Sequence, residues 1–239
     1  MTNIYEIQLK IRSIDVDMYR RLRTSVLLSW IQEAAIAHTE ALGMGREKTL
    51  DKGLLWIVNM QRIEINRLPV YDEEVLLRSW PGKSMHLLFP RYFELLDRDG
   101  KVLVSGSALW SLINENTRAL IFPEKFGIRI DGNETGSELP LPTPARMLPC
   151  TDSRSFTVPY SFIDLNRHMN NTRYLDLAED CIFEEVKDQV LRSVRIEFQH
   201  EILFNDTVTL AWGHEDGRWL ITGTVEKPCF KIELCYGDL

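Results

Sequence analysis

The stretch DLNRHMNN, residues 164–171, places three chemically active side chains at every second position: Asp164, Asn166 and His168. In an extended segment, alternate side chains point to the same face, so this spacing predicts a carboxylate, an amide and an imidazole side by side. An imidazole exchanges protons at neutral pH, and a nearby carboxylate can orient it or act as a base itself. The pattern therefore indicates acid–base chemistry just ahead of a helix.

Simpler interpretations of the same residues stay open, because Asp and Asn before a helix often serve only as turn formers and caps. A calcium loop is excluded, since Met169 stands where such a loop needs glycine and Leu175 where it needs a glutamate. A zinc site would require a second histidine or a cysteine nearby. A serine hydrolase would require a GxSxG motif, which the sequence lacks. We therefore expect no metal and no cofactor.

Composition describes an ordinary globular protein: 239 residues, 44% hydrophobic and 26% charged. The net charge of −7 makes binding to nucleic acid or to an anionic membrane unfavourable. The sequence has no apolar run of about 18 residues, and the start MTNIYEIQLK lacks a signal-peptide pattern, so we expect a cytoplasmic protein without stable membrane association. The cysteines have no CxxC spacing and are expected to be reduced and buried: Cys150, Cys181, Cys229 and Cys235.

The chain contains an internal repeat. The segments RIEINRLPVYDEEVLLRSW from Arg62 and RIEFQHEILFNDTVTLAW from Arg195 align without a gap at an offset of 195 − 62 = 133. A helical spacing of apolar residues precedes each copy, over residues 27–42 and 174–182. Strand patterns separated by tight turns follow each copy, including one from His86 to Asp97 in the first half. On the first helix, His38 lies on the apolar face and is predicted to be a satisfied core histidine.

These elements predict an α+β protein with a tandem (double) hotdog fold, in which a mostly antiparallel β-sheet wraps a long central helix in each half. The first hotdog is expected over 1–133 and the second over 151–239. Between them, residues 134–150 contain four prolines and are expected to form an extended linker.

The two halves differ in their polar residues. At an offset of 146, Met18, Arg20 and Leu22 stand opposite Asp164, Asn166 and His168. At the offset of 133, Leu68 stands opposite Glu201. The polar set is therefore predicted for the second half alone, and a shared scaffold does not require that difference. This asymmetry favours a catalytic role for the four residues.

The motif DLNRHMNNTRYL resembles the D-x-N-x-H-x-N-N signature of the acyl-ACP thioesterase family, which belongs to the hotdog superfamily. LLWIVNMQRIEINRLPVYDEEV and RYFELLDRDGKVLVSGSALWSLINENTRALIFPE are similar to the family's first long strand and the hairpin after it. The resemblance extends from about Tyr19 to about Trp212. It implies hydrolysis of fatty acyl-ACP thioesters to free fatty acid and holo-ACP in fatty acid biosynthesis, with acyl carrier protein as the partner.

By the same resemblance, the catalytic residues are Asp164, Asn166, His168 and Glu201. Plant members have a cysteine directly after the glutamate, and this chain has Ile202, which argues against a cysteine nucleophile. Plant members also have a plastid transit segment. This chain begins almost at the predicted fold, which suits a bacterial cytosolic enzyme.

The helix that follows the motif is expected to stabilise the negative charge that develops on the thioester oxygen. Asn170 or Asn171 is a suitable N-cap, and the free N–H groups there are predicted to bind the oxyanion. Two schemes for the attack stay open. In one, Asp164 adds to the carbonyl and forms a mixed anhydride; in the other, a carboxylate and His168 deprotonate a water.

The first half, without this polar set, is expected to shape the acyl pocket through Trp30, Ala34, Trp56 and Val58. Carrier docking is predicted at a basic patch, either Arg20, Arg21 and Arg23 or Arg167, Arg173 and Arg192, although either set is equally typical of a solvated face. A monomer and a homodimer are both compatible with the sequence. The alternatives are an acyl-CoA thioesterase, a hotdog dehydratase and a non-catalytic acyl-binding hotdog protein.

Overall fold

The computed structural model describes residues 4–130, 132, 137 and 139–237, and the chain divides into two compact units between Pro142 and Thr143. The elements of the N-terminal unit are β1 (Tyr5–Lys10), α1 (Thr24–Ala41), β2 (Leu54–Ile65), β3 (Glu74–Pro81), β4 (Phe89–Leu96) and β5 (Val102–Asn114).

The strands of the N-terminal unit form an antiparallel sheet in the order β1-β3-β4-β5-β2. Helix α1 buries one face, which includes Leu27, Ile31 and Ala34. These positions follow the predicted i, i+4, i+7 spacing, so burial of this stripe accounts for the helix. The helix ends at Ala41, two residues before Gly43, which adopts a φ of 69° that favours glycine.

The C-terminal unit repeats this arrangement. Its elements are β6 (Asp152–Thr157), α2 (Arg173–Val186), β7 (Val190–Phe198), β8 (Thr207–Glu215), β9 (Arg218–Thr224) and β10 (Pro228–Gly237). The strands form an antiparallel sheet in the order β7-β10-β9-β8-β6. Helix α2 buries Leu177, Ala178 and Ile182.

The predicted class is confirmed: within the described residues, each unit combines one long helix with an antiparallel sheet, as in a hotdog-like fold. Both predicted helices are present. One predicted strand was extended too far, since β4 begins at Phe89 and not at His86. The reason is a turn in which the Met85 and Leu88 backbones bond to each other and His86 adopts a φ of 56°.

The predicted linker, 134–150, is only partly a connection between units. Residues 134–136 and 138 lie outside the described residues. Beyond position 142 the segment packs on the C-terminal unit, where Ala145 and Leu148 bury their side chains in a cluster with Leu220. The domain limits drawn from the sequence stay a prediction.

The cysteines are free, as predicted. Cys181 and Cys229 are buried, and burial raises the pKa of both thiols, which keeps them in the less reactive protonated form. Cys150 is exposed, so the prediction that it is buried was wrong. It follows the proline-rich segment at the surface. Within the described residues, none of the helices is long and apolar enough to cross a membrane.

Helix α1 contains a buried histidine that should make folding stability depend on pH. His38 is 3% exposed, and burial, with the nearby charge of Arg91 as a second cause, lowers its pKa to about 4. In the unfolded chain the pKa of a histidine is about 6.5. Because the folded value is the lower one, this contribution to stability is complete above pH 6.5 and is lost as the pH falls towards 4. The loss between pH 7.5 and 5 should be about 1–2 kcal/mol.

Urea unfolding of the wild-type protein and of His38→Leu at both pH values checks this expectation. The leucine variant should lose less stability in acid than the wild type, since it has no imidazole to protonate on unfolding. His214→Gln is the matched control, because it removes a histidine from the surface and not from the core. An identical acid loss in the wild type and in His38→Leu would contradict the assignment.

Candidate active site

The motif residues lie in a tight loop between β6 and α2. Ile163 and Met169 form a β-bridge across the loop, and the Asp164 N–H donates to the carbonyl of His168 at 3.0 Å. Arg167 adopts a φ of 68° at the tip. The sequence prediction of an extended segment was therefore wrong, because residues 164–168 close into a turn.

The turn is built by the aspartate of the motif. The Asn166 N–H donates to Asp164 Oδ1 at 2.8 Å, and the Arg167 N–H donates to the Asp164 carbonyl at 3.0 Å. An aspartate that accepts the N–H two residues on is a common turn former, and it stabilises the loop without a glycine. Loop closure, and not strand alternation, brings Asp164 and His168 together.

A second loop, between β7 and β8, places the glutamate. The Met169 N–H donates to the Ile202 carbonyl at 2.7 Å, and His168 and Leu203 form a β-bridge. The Leu203 N–H is held in turn by Asp206 Oδ2 at 2.7 Å. These bonds join the two loops, so Glu201 lies beside His168.

The imidazole of His168 lies between two carboxylates. Its Nδ1 is 3.8 Å from Asp164 Oδ2, and its Nε2 is 3.9 Å from Glu201 Oε1. Both distances exceed a hydrogen bond, but catalytic contacts often tighten only when substrate binds. The Asp164 and His168 side chains are 15% and 13% exposed, and that of Glu201 is 36% exposed. The site is therefore shielded on the aspartate side and more open at the glutamate.

Asn166 belongs to the same loop. Its backbone N–H holds the turn, and the residue is partly buried. The structure thus brings Asp164, His168 and Glu201 to one place, with Asn166 next to them in the chain. The catalytic roles of the four residues stay predictions.

The start of α2 differs from the prediction. The N-cap is Thr172, and neither Asn170 nor Asn171 occupies that position. Asn170 Oδ1 accepts the Thr172 N–H at 2.9 Å, and its carbonyl accepts the Arg173 N–H at 2.9 Å. Two of the donors at this helix end are therefore engaged, so an oxyanion would have to use other donors of the first turn. The oxyanion assignment stays a prediction.

Tyr174, in the first turn of α2, was not predicted to belong to the site. It is 3% exposed. Burial, followed by the electrostatic effects of Cys229, Glu201 and Asp164, raises its pKa, so its phenol keeps the proton. The sequence pattern treated Tyr174 as an apolar helix position. Its place directly after the motif was the available signal.

The N-terminal unit contains the same loop. Val16 and Leu22 form the equivalent β-bridge, and Arg20 has a φ of 64° at the tip. Since the bridges at Leu22 and Met169 correspond, the offset is 169 − 22 = 147, and the predicted offset of 146 was wrong by one residue.

The corrected alignment changes the comparison of the halves. Asp17 lies opposite Asp164, Tyr19 opposite Asn166, and Arg21 opposite His168. Asp17 Oδ1 accepts the Tyr19 N–H at 2.8 Å, and Asp17 Oδ2 accepts Arg21 Nε at 3.0 Å. Both halves therefore use an aspartate to build the loop, and in both its Oδ2 faces the side chain four positions on. The asymmetry is limited to Asn166, His168 and Glu201.

Only part of the positive charge of the first predicted docking patch is available to bind a partner. Arg21 is half-buried and paired with Asp17, and Arg23 Nε donates to the Val16 carbonyl at 2.9 Å. Arg20 is exposed. In the second predicted set, Arg173 is paired with a neighbouring aspartate on α2. Carrier docking at either patch stays a prediction.

The predicted pocket residues all lie in the N-terminal unit. Ala34 on α1 and Val58 on β2 are 4% and 5% exposed, whereas Trp30 and Trp56 are partly exposed. The Trp56 ring meets the Phe89 ring edge-on, with 5.1 Å between centroids. Among the described residues, no group of three or more histidine, cysteine, aspartate or glutamate side chains is placed to hold a metal ion.

Comparison with solved structures identifies the class of fold. An acyl-ACP thioesterase from Bacteroides thetaiotaomicron superposes with a TM-score of 0.85 at 21% sequence identity, over 98% of both chains. The 12:0-ACP thioesterase from Umbellularia californica superposes with a TM-score of 0.83 at 17% identity, over 99% of this chain and 98% of that one. The chain therefore has the fold of these thioesterases.

The family models for the acyl-ACP thioesterase N-terminal and C-terminal domains match residues 2–124 and 150–225. The chain belongs to the acyl-ACP thioesterase family. It is 24% identical to the chloroplastic acyl-[acyl-carrier-protein] hydrolase FATB2 of Cuphea viscosissima, over 83% of this chain and 52% of that protein. It is 23% identical to the chloroplastic palmitoyl-acyl carrier protein thioesterase of Arabidopsis thaliana, over 93% and 59%. The chain thus spans about half the length of these curated relatives.

Proposed function

We propose that this chain hydrolyses fatty acyl-ACP thioesters to free fatty acid and holo-ACP in fatty acid biosynthesis, and that its two units are tandem hotdogs. The observation on which this rests is the imidazole of His168 between Asp164 and Glu201, on two loops that are joined by backbone hydrogen bonds. Membership of the acyl-ACP thioesterase family supports the substrate class.

In the proposed mechanism, Nδ1 of His168 keeps its proton, because it faces the Met169 carbonyl at 3.4 Å and Asp164 Oδ2 at 3.8 Å. Nε2 therefore has the lone pair. A water between Nε2 and Glu201 loses a proton to the imidazole and attacks the thioester carbon. The carbonyl oxygen becomes an oxyanion, for which the remaining donors at the start of α2 are the candidates. When the intermediate collapses, the thiol leaves and takes the proton from the imidazolium.

Direct attack by Asp164 is the competing scheme. We favour water, because Asp164 Oδ1 is held by the Asn166 N–H and Oδ2 faces the imidazole. The equivalent Asp17 uses its two oxygens in the same way, on a backbone N–H and on the side chain four positions on. An aspartate in this turn is thus suited to orient the side chain four positions further along the chain.

The other roles follow from this proposal. The N-terminal unit receives the acyl chain along Trp30, Ala34, Trp56 and Val58. Acyl carrier protein is the partner and the cytoplasm the compartment. Analytical ultracentrifugation distinguishes a monomer from a homodimer.

Hydrolysis is tested with saturated acyl-ACP and acyl-CoA over a series of chain lengths. Release of the free acid should be followed by mass spectrometry, because exposed Cys150 would react with thiol reagents. We expect kcat/KM to be about tenfold or more higher with the carrier protein, a difference of 1.4 kcal/mol in transition-state binding. Preference for CoA would indicate an acyl-CoA thioesterase. Hydration of an enoyl thioester would indicate a dehydratase, and binding without turnover a non-catalytic acyl-binding protein.

A further inference from the structure

Between α1 and the sheet of the N-terminal unit lies a group of buried polar atoms that have no hydrogen-bond partners among the described residues. Arg91 Nη2, the indole Nε1 atoms of Trp56 and Trp110, and both ring nitrogens of His38 have no hydrogen-bond partner among the described residues. Each such atom destabilises the fold when it is left unsatisfied. A group of them in one place calls for a physical explanation.

The strand register shows that these side chains are neighbours. Arg91 pairs with Ala108, and Phe89 pairs with Trp110, so Arg91 and Trp110 are diagonal neighbours on one face of β4 and β5. Such neighbours lie roughly 7–8 Å apart, within reach of long side chains. The Trp56 ring contacts the Phe89 ring on the same face. The guanidinium and the two indoles therefore surround Phe89.

His38 faces this group from the helix. Tyr5 pairs with Ser79 across β1 and β3, and the Tyr5 ring stacks on the His38 ring with 6.0 Å between centroids. Ser79 Oγ accepts a hydrogen bond from Arg91 Nε at 3.0 Å. Arg91 and His38 therefore lie on the same side of the sheet, in agreement with the effect of the Arg91 charge on His38.

Within the part of the chain that the structure describes, the positive charge of this group has no counterion. Arg91 is 7% exposed, and burial alone lowers its pKa to about 10, so it stays a cation at neutral pH. The pKa of His38 is lowered to about 4, so that ring is neutral. Burying a charge is costly unless it is paired and hydrogen-bonded. The site therefore favours a ligand with a single negative charge and several acceptor lone pairs.

We propose that the N-terminal unit binds the carboxylate of an aliphatic acid against Arg91, Trp56, Trp110 and His38. A carboxylate has one charge, which matches the guanidinium, and its two oxygens can accept the free guanidinium and indole N–H groups. Phe89 and other apolar side chains of the sheet provide the walls for the hydrocarbon chain. This site lies in a different unit from His168.

Calorimetric titration with sodium decanoate and with 1-decanol tests the proposal. The wild-type protein should bind decanoate, and Arg91→Met should bind it at least about tenfold more weakly, as expected for the loss of a charge-assisted hydrogen bond. Decanol, which lacks the charge, should bind both proteins equally. Arg98→Met is the matched control, since Arg98 is a surface arginine of the same unit, paired with Glu74, and should bind decanoate like the wild type.

The variants are expected to fold. Arg91→Met removes a buried charge that has no counterion among the described residues, so it should raise the melting temperature of the free protein. Decanoate should raise the melting temperature of the wild type but not that of Arg91→Met. Trp110→Phe keeps an aromatic ring and removes one donor, so it should weaken decanoate binding by a few-fold. It provides a second test if Arg91→Met is unstable.

The carboxylate could belong to a free acid or to the far end of an acyl chain. A second arm therefore compares turnover of decanoyl thioester with that of a thioester whose chain ends in a carboxylate. Faster turnover of the second substrate that disappears in Arg91→Met would identify the acyl chain as the source. Decanoate binding through Arg91 without this preference would identify the free acid.

Equal decanoate affinity in the wild type and in Arg91→Met, with no effect of Arg91 in the second arm, would overturn the proposal. So would decanoate binding that is lost in His168→Ala and kept in Arg91→Met, because it would place the acid at the catalytic site. The binding arm needs no hydrolysis. A chain that fails to hydrolyse acyl-ACP but binds decanoate through Arg91 would refute the proposed function and support the carboxylate site.

Discussion

Replacing His168 by alanine is expected to lower kcat for a saturated acyl-ACP by about 100-fold or more, the usual effect of removing an acid–base residue. Asp164→Asn should have an effect of similar size. The asparagine keeps the oxygen that accepts the Asn166 N–H, so the turn survives, but the negative charge beside Nδ1 of His168 is lost. Single-turnover release of free acid, measured at saturating enzyme, reports the chemical step directly.

The repeat provides a matched control for these variants. Asp17 occupies the same turn in the N-terminal unit and makes the same type of backbone contact as Asp164. Asp17→Asn removes the same charge from the same backbone geometry, but at a loop where arginine replaces histidine. It should therefore keep more than about half of the wild-type kcat, because acid–base effects require the reacting group itself.

Two results would contradict the assignment. Near-normal turnover in both His168→Ala and Asp164→Asn would remove the catalytic role of the loop. Equal losses in Asp17→Asn and Asp164→Asn would mean that the aspartates act through folding alone, as the turn-former interpretation holds. Circular dichroism and thermal melting of each variant separate loss of structure from loss of chemistry.

The regular elements of this fold could be predicted from the sequence because apolar spacing is a local signal. The α1 pattern from Leu27 onward and the repeated strand after Arg62 needed no tertiary information. The predicted start of β4 was three residues too early, because His86 adopts a left-handed conformation that its residue type does not indicate. Turns built on non-glycine residues are a weak signal in a single sequence.

Asp164 and His168 lie close together, as the motif predicted, but in a different local geometry, and their catalytic roles stay predictions. Alternating polar residues look the same in a strand and in a five-residue loop, and the aspartate decides between them by bonding to Asn166. The alignment error of one residue had the same origin. It hid the correspondence of Asp17 and Asp164, and so it overstated the difference between the halves.

The buried polar group around Arg91 could not be predicted, because it depends on strand register. His38 was expected to be a satisfied core histidine, but its two ring nitrogens have no partner among the described residues. Sequence spacing shows that a residue faces the core. It does not show which side chains of other strands lie opposite, and here those are Arg91 and Trp110.

Glu233→Ala is expected to lower the free energy of unfolding by about 2–4 kcal/mol, the largest effect on stability that we predict for a single side chain. The Glu233 side chain is 1% exposed, and its Oε1 accepts hydrogen bonds from Arg195 Nη1 at 2.8 Å and Arg218 Nη1 at 3.2 Å. Its Oε2 accepts the Arg146 N–H at 2.8 Å. Truncation leaves the Arg195 charge without this partner in the C-terminal sheet. Urea unfolding at pH 7.5 measures the loss.

Glu215→Ala is the matched control, because Glu215 pairs with the side chain of the same Arg146, at 3.2 Å, but is 48% exposed. An exposed pair contributes little, so this variant should lose less than about 1 kcal/mol. Glu233 also fixes the backbone of Arg146 between the buried side chains of Ala145 and Leu148. Its loss should therefore expose the segment after position 142 to proteolysis first. Equal destabilisation by the two variants would mean that burial does not strengthen the Glu233 contacts.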